Sequence, residues 1–226
     1  KAISLGLILT EMSDMKVTTR IYDPKEEFWN VLTHGMGLFF SIAGLTLLVV
    51  FASLYESVWH IVSYSIYGAS MVILYMASTM YHAAKKPTLK IRLNVFDHAA
   101  IYVLIAGTYT PLMLVTLRGP WGWSIFGIEW GLAITGIILK LFFAGRYDKI
   151  STLAYVLMGW LAIVAIYPLI VNLALGGLIW LLIGGIFYSI GAVFYLWHKL
   201  NYNHAIFHVF VLLGTLSHFI CIFFYV

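Results

Sequence analysis

The 226-residue chain is 62% hydrophobic and only 10% charged, and its mean hydropathy is strongly positive, so water cannot be the solvent for most of its surface. This composition excludes a soluble globular domain and points to an integral membrane protein. Thirteen Lys and Arg against nine Asp and Glu give a formal charge of +4; the excess is gathered in certain loops, which is a topology signal and argues against a nucleic-acid partner. The one cysteine, Cys221, lies in the last apolar run, so neither an intrachain disulfide nor a cysteine metal cluster can form; lipid contact or core packing is its expected role.

Residues 1–27 read as an N-terminal tail on the cytoplasmic side, polar over 12–27, where it forms a tail or a short interfacial helix. Its first stretch, about 1–11, has the character of a cloning remnant or a truncated leader, because the KAISLGLILT run is too short to span and lacks a basic leader. Residues 28–226 read as one membrane domain. A bilayer core about 30 Å thick takes roughly 20 apolar residues per helix, and the sequence offers seven such runs, near 30–51, 59–82, 97–117, 123–143, 152–172, 177–197 and 204–226. Gly119-Pro120, Ala144-Gly145 and Gly176-Gly177 mark the turns after the third, fourth and fifth runs. The expected fold is an all-α bundle of seven transmembrane helices.

Cytoplasmic loops retain Lys and Arg. The stretches 83–96, 144–151 and 198–203 hold Lys85, Lys86, Lys90, Arg92, Arg146, Lys149 and Lys199, whereas the opposite loops offer Arg118 with Glu56 and Glu129 nearby. The N-terminus is therefore expected in the cytoplasm and Val226 outside. Lys140, near the cytoplasmic end of the fourth run, is expected to snorkel to the headgroups, and Trp29, Trp59, Trp121, Trp123 and Trp197 take aromatic-belt positions. Pro111 and Pro168 interrupt the third and fifth runs, where they either kink the helix to shape a cavity or reflect the tolerance of membrane helices for proline.

Polar groups at membrane depth are costly and need partners. His82 ends the second run, Asp97 opens the third, and His204 and His208 open the seventh, so alternating topology brings all four to one face. His204-Ala-Ile-Phe-His208 sets two imidazoles one turn apart on a helix face, and Ser78-Thr-Met-Tyr-His82 does the same with a hydroxyl and an imidazole. Three imidazoles suffice for Zn2+ and leave a fourth position for water, acidified to a pKa of about 7. Asp97 is placed to accept that water's proton or orient it, and Ser78 to donate to the water or to an oxyanion. The alternative is a metal-free histidine cluster that supports helix packing or relays protons.

At these residues the chain resembles the hemolysin III-like bacterial proteins of the progestin and adiponectin receptor superfamily. Glu27-Phe-Trp-Asn30-Val-Leu-Thr-His34-Gly35 is similar to the family's first motif, Ser78-x-x-x-His82 followed by Asp97-His98 to the second, and His204-x-x-x-His208 to the third. The resemblance implies zinc held by His82, His204 and His208 near the cytoplasmic side, with Asp97 and Ser78 around it, in a multi-pass protein of the bacterial inner membrane. Receptor members commonly carry tyrosine where His98 stands. The wider group includes proteins associated with ceramide hydrolysis. Glu27 and His34 are read either as support or gating beside the zinc, or as a helix cap and interfacial anchor. His60, His198 and His218 match no motif and are expected to pack or hydrogen-bond.

Three functions compete. The first is a zinc-dependent hydrolase of a membrane lipid amide or ester, with membrane lipids as partners. The second is a haemolysin-like pore, which the concentration of polar groups at one face disfavours. The third is a receptor-like regulator of membrane homeostasis with a structural zinc; no lysine lies in the seventh run to carry a retinal Schiff base. Neither the substrate nor the oligomeric state is legible.

Overall fold

The computed structural model describes residues 20 and 22–143 together with 147–226; the expectations for residues 1–11 and for the Ala144-Gly145 turn fall outside these. Helix α1 (Pro24–Tyr55) begins where the Asp23 side chain accepts from Lys25 N at 2.8 Å, with Pro24 in the first turn. It is followed by α2 (Val58–Ala83) and α3 (Pro87–Pro111), the latter continuing as a π-helical turn over Leu112–Thr116. Helix α4 (Pro120–Phe143) follows a turn at Gly119, whose φ of +146° only glycine adopts without strain. The fifth span is broken into α5 (Asp148–Gly159), a 3-10 segment (Leu161–Ala165) and α6 (Ile166–Asn172); α7 (Leu175–Leu196) and α8 (Asn203–Tyr225) complete the bundle.

Seven helical stretches among the described residues are long and apolar enough to cross a membrane. The third span is the most buried, and the fifth and sixth are the least. Sequence neighbours pack in pairs, α1 on α2, α2 on α3, α3 on α4 and α7 on α8, while α1 also packs against α8 to join the ends of the chain. Leucine, isoleucine and phenylalanine cover the outward faces, and the five belt tryptophans are all substantially exposed. That is the inverse of a soluble protein and suits a lipid solvent.

Two prolines act as the sequence allowed. Pro111 removes an amide donor, and the helix answers with the π turn, closed by Leu117 N donating to Leu112 O at 2.9 Å. Pro168 stands just after the 3-10 segment. Cys221 is core packing, with Sγ 3.3 Å from Gly177 O.

Three expectations need correction. Helix α3 starts at Pro87, ten residues before the expected start, because the proline presets the first turn and the charged stretch Lys90–Arg92 extends the helix beyond the apolar run. Asp97 therefore lies three turns inside the helix. Lys140 does not snorkel: it is 3% exposed, on the face of α4 that packs against α3. Glu129, counted with the outer-face loops, is fully buried in the middle of that same face.

Candidate metal centre

His82 stands in the last turn of α2, and His204 and His208 in the first two turns of α8. All three are buried, and each offers one ligand nitrogen within 4.8 Å of the others. The Nε2 atoms of His82 and His204 are 3.1 Å apart. Two nitrogens bound to one tetrahedral zinc at the usual bond length would be about 3.3 Å apart, so the spacing matches a shared ion.

The opposite nitrogens are held from one segment, residues 22–33. Tyr22 Oη is 3.0 Å from His204 Nδ1, Glu27 Oε2 is 2.6 Å from His82 Nδ1, and Thr33 Oγ1 is 3.2 Å from His208 Nδ1. The Thr33 hydroxyl donates to Trp29 O at 2.8 Å, which leaves its lone pairs to accept from the ring. Burial, with Tyr81 next, pushes the Tyr22 phenol well above its ordinary range, so it stays neutral and can accept from the ring or donate to it. With their Nδ1 atoms protonated, His82 and His204 turn their Nε2 lone pairs toward one another, and His208 brings one ring nitrogen within 4.8 Å of theirs. That is the tautomer a metal needs, and the Glu27 carboxylate favours it at His82.

The same segment fastens the start of α8. Tyr202 adopts a left-handed backbone, φ 58°, and the helix has no side-chain cap of its own; Glu26 Oε1 accepts from His204 N at 3.1 Å and takes that place. Arg20 donates to Asn203 Oδ1 and to His198 Nδ1, each at 2.9 Å. Asn203 in turn donates to the last carbonyls of α7, Phe194 O and Tyr195 O.

Glu27 caps no helix. Its second oxygen receives Lys90 Nζ at 2.5 Å, so it links α1, α2 and α3 at the candidate centre. His34 is neither cap nor interfacial anchor: its ring stacks on His208 at 3.4 Å and 9°, with both nitrogens buried and lacking a hydrogen-bond partner. Tyr22 and Thr33 were not singled out from the sequence. Thr33 lies inside the first motif, but Tyr22 carries no motif signal, since its contact with His204 spans 182 residues.

Ser78 and Asp97 open onto a cavity of about 130 Å³ that also reaches His34, His204 and His208. Ser78 Oγ is buried beside the Asp97 carboxyl, just outside regular hydrogen-bond geometry. Away from this end the walls are mainly apolar, including Leu74, Leu104, Ile105, Val156 and Val211. His60 and His198 hydrogen-bond near helix ends, and His218 Nε2 lies 3.2 Å from Leu181 O.

The fold and this geometry define a class: a seven-span membrane protein with a buried three-histidine cluster suited to a metal ion and open to an internal cavity. Residues 22–219 match the family described as Haemolysin-III related, and the chain belongs to that family. It is 50% identical to Hemolysin-3 of Bacillus cereus over 211 residues, 93% of this chain and 96% of that protein. With the Hemolysin-3 homolog of Bacillus subtilis it shares 47% over 201 residues, covering 89% and 94% of the two chains. The human Monocyte to macrophage differentiation factor is 28% identical over 202 residues, 85% of this chain and 81% of the other. No solved structure matches the chain. Its seven apolar helices and bacterial relatives make it a multi-pass bacterial membrane protein.

Proposed function

We propose that the protein is a zinc-dependent hydrolase of a membrane lipid amide or ester, with its centre near the cytoplasmic face. One observation carries this reading: three buried imidazoles each bring one ring nitrogen within 4.8 Å of the others, while each Nδ1 lies beside a separate partner. A purely structural histidine cluster has no need of three converging ring nitrogens. When bound, zinc supplies a Lewis acid for the carbonyl and acidifies water.

The chain's own groups supply the rest. Asp97 takes the proton from the attacking water as its oxygen bonds to the carbonyl carbon, and returns that proton to the nitrogen or oxygen that leaves. Ser78 Oγ donates to the carbonyl oxygen as negative charge develops there. The apolar cavity walls hold the lipid chain and keep bulk water from the reacting bond.

A second reading, a regulator with a structural zinc, draws on the fastening of α1, α2 and α8 around the histidines. Zinc content and lipid-amide turnover on the same samples of wild type, His208→Ala and Asp97→Asn separate the two. Hydrolysis requires about one zinc per chain in wild type and in Asp97→Asn, with turnover in wild type alone. Zinc without turnover on a broad lipid panel favours the structural role, and wild type without zinc refutes both.

A further inference from the structure

We propose that Lys140, with His98, forms a head-group subsite that takes the anionic group, phosphate or carboxylate, of a lipid whose chain lies in the cavity. This rests on the reading that the cavity receives a lipid but not on turnover. Lys140 closes the buried stripe Gly122, Ile125, Glu129, Ala133, Gly136 and Lys140, one residue per turn along the α4 face that meets α3. Its side chain is 4% exposed, and an ammonium at that depth is costly unless it is paired.

The pairing among the described residues is incomplete. Lys140 Nζ has three hydrogens to give. His98 Nδ1 lies at 3.3 Å. Asp148 Oδ1 forms an ion pair with it at 3.7 Å, longer than a hydrogen bond, and that oxygen has no hydrogen-bond partner. Asp97 is the other acidic neighbour. Asp148 has support besides the lysine: its side chain is 41% exposed, and in the first turn of α5 the helix dipole supports its charge. Lys140 has no comparable access to water.

Lys140, His98 and Asp148 line the cavity that reaches Asp97, Ser78 and His208, and Lys140 is the one lysine or arginine along its described walls. Beside it, α5 begins without a side-chain cap, so amide hydrogens of its first turn add positive potential. An amphiphile with an anionic group would complete the hydrogen bonds of the ammonium and lay its chain along Leu104, Ile105 and Val156. Asp148 would turn to water as the ligand oxygen replaces it.

The test is thermal stabilisation of the zinc-loaded protein in phosphatidylcholine nanodiscs by lysophosphatidic acid, by the monoacylglycerol of the same chain, and by inorganic phosphate. Lysophosphatidic acid should raise Tm, with little response to the other two. Lys140→Met should weaken its apparent affinity about tenfold or more, and Lys140→Arg should retain it. Asp148→Asn should tighten binding by removing the competing carboxylate, a gain that misfolding cannot mimic. Lipid-amide turnover is read on the same wild-type samples: a lysophosphatidic acid response without turnover sinks the hydrolase reading and keeps the subsite, and turnover without that response does the reverse, so the two failures are told apart. Equal responses to monoacylglycerol and lysophosphatidic acid, or to phosphate alone, would overturn the proposal. So would an unchanged affinity in Lys140→Met.

Discussion

Glu27 and His82, 55 residues apart, meet through a 2.6 Å contact between Oε2 and Nδ1, and the other oxygen of Glu27 holds Lys90. One carboxylate thus orients a candidate metal ligand and ties the start of α1 to α2 and α3. Such partners of a ligating histidine typically contribute 10–100-fold in metal affinity. Glu27→Gln keeps the shape but gives up the charge, so zinc affinity should fall by about that factor while the helical content is unchanged. Competition with a chromophoric chelator measures it, and affinity equal to wild type would show that Glu27 serves the lysine alone.

The stack of His34 on His208 separates shape from polarity. His34→Phe preserves a flat ring at 3.4 Å and removes two buried nitrogens that lack partners, each of which costs about 1–3 kcal/mol when unsatisfied. Its Tm should equal or exceed that of wild type. His34→Ala opens a void behind His208 and should cost about 2–4 kcal/mol. If His34→Phe is as unstable as His34→Ala, the nitrogens have partners after all, water or ligand among them.

Much of this centre was legible because it uses local spacing. Ser78 and His82, and His204 and His208, are four residues apart on helices whose ends the hydropathy marks, so their faces and shared depth followed directly. Asp97 was identified but the start of its helix was not, since Pro87 begins α3 ahead of the apolar run. Lys140 and Glu129 were misplaced for a different reason. A span rich in apolar residues on every side has no distinct polar face, so hydropathy cannot say which side meets the bundle; that depends on the glycines of α4 that admit α3. Tyr22 was invisible because only the assembled bundle brings it to His204.

Those glycines give a matched pair within α4. A Cβ at Gly122 would lie 2.1 Å from Met113 O, a backbone atom in the π turn, whereas one at Gly127 meets nothing within 4 Å. Gly122→Ala should cost about 2–4 kcal/mol, because only a backbone shift relieves the clash. Gly127→Ala should be neutral or should stabilise by up to about 1 kcal/mol through helix propensity. Thermal unfolding in one detergent compares them, and equal effects would mean that α4 does not seat against the π turn as described.

Glu129 is fully buried in the same face, with neither carboxylate oxygen hydrogen-bonded. A lone carboxylate there would carry a desolvation cost that nothing among its described neighbours offsets, so the group must be neutral or find a partner by a small shift. Glu129→Gln, of nearly the same shape and never charged, should match wild-type stability to within about 1 kcal/mol in thermal unfolding. Glu129→Lys should fail to accumulate as folded protein. A large loss in Glu129→Gln would show instead that an ionised carboxylate is required at this depth.

Metal removal tests the convergence of the imidazoles. With His82 Nε2 and His204 Nε2 only 3.1 Å apart, the metal-free cluster can share one proton between these two nitrogens, which leaves His208 joined to them by packing alone. An ion present at 100 times its Kd stabilises the folded state by about 2.7 kcal/mol, roughly 5–10 °C in Tm for a chain of this size. Chelation should therefore lower Tm by that amount, and zinc should restore it. Amide exchange should quicken at the end of α2 and the start of α8, where the ligands sit, while the opposite ends of those helices stay protected. Exchange that quickens evenly along the bundle would mean that the ion supports the fold from somewhere other than these three histidines.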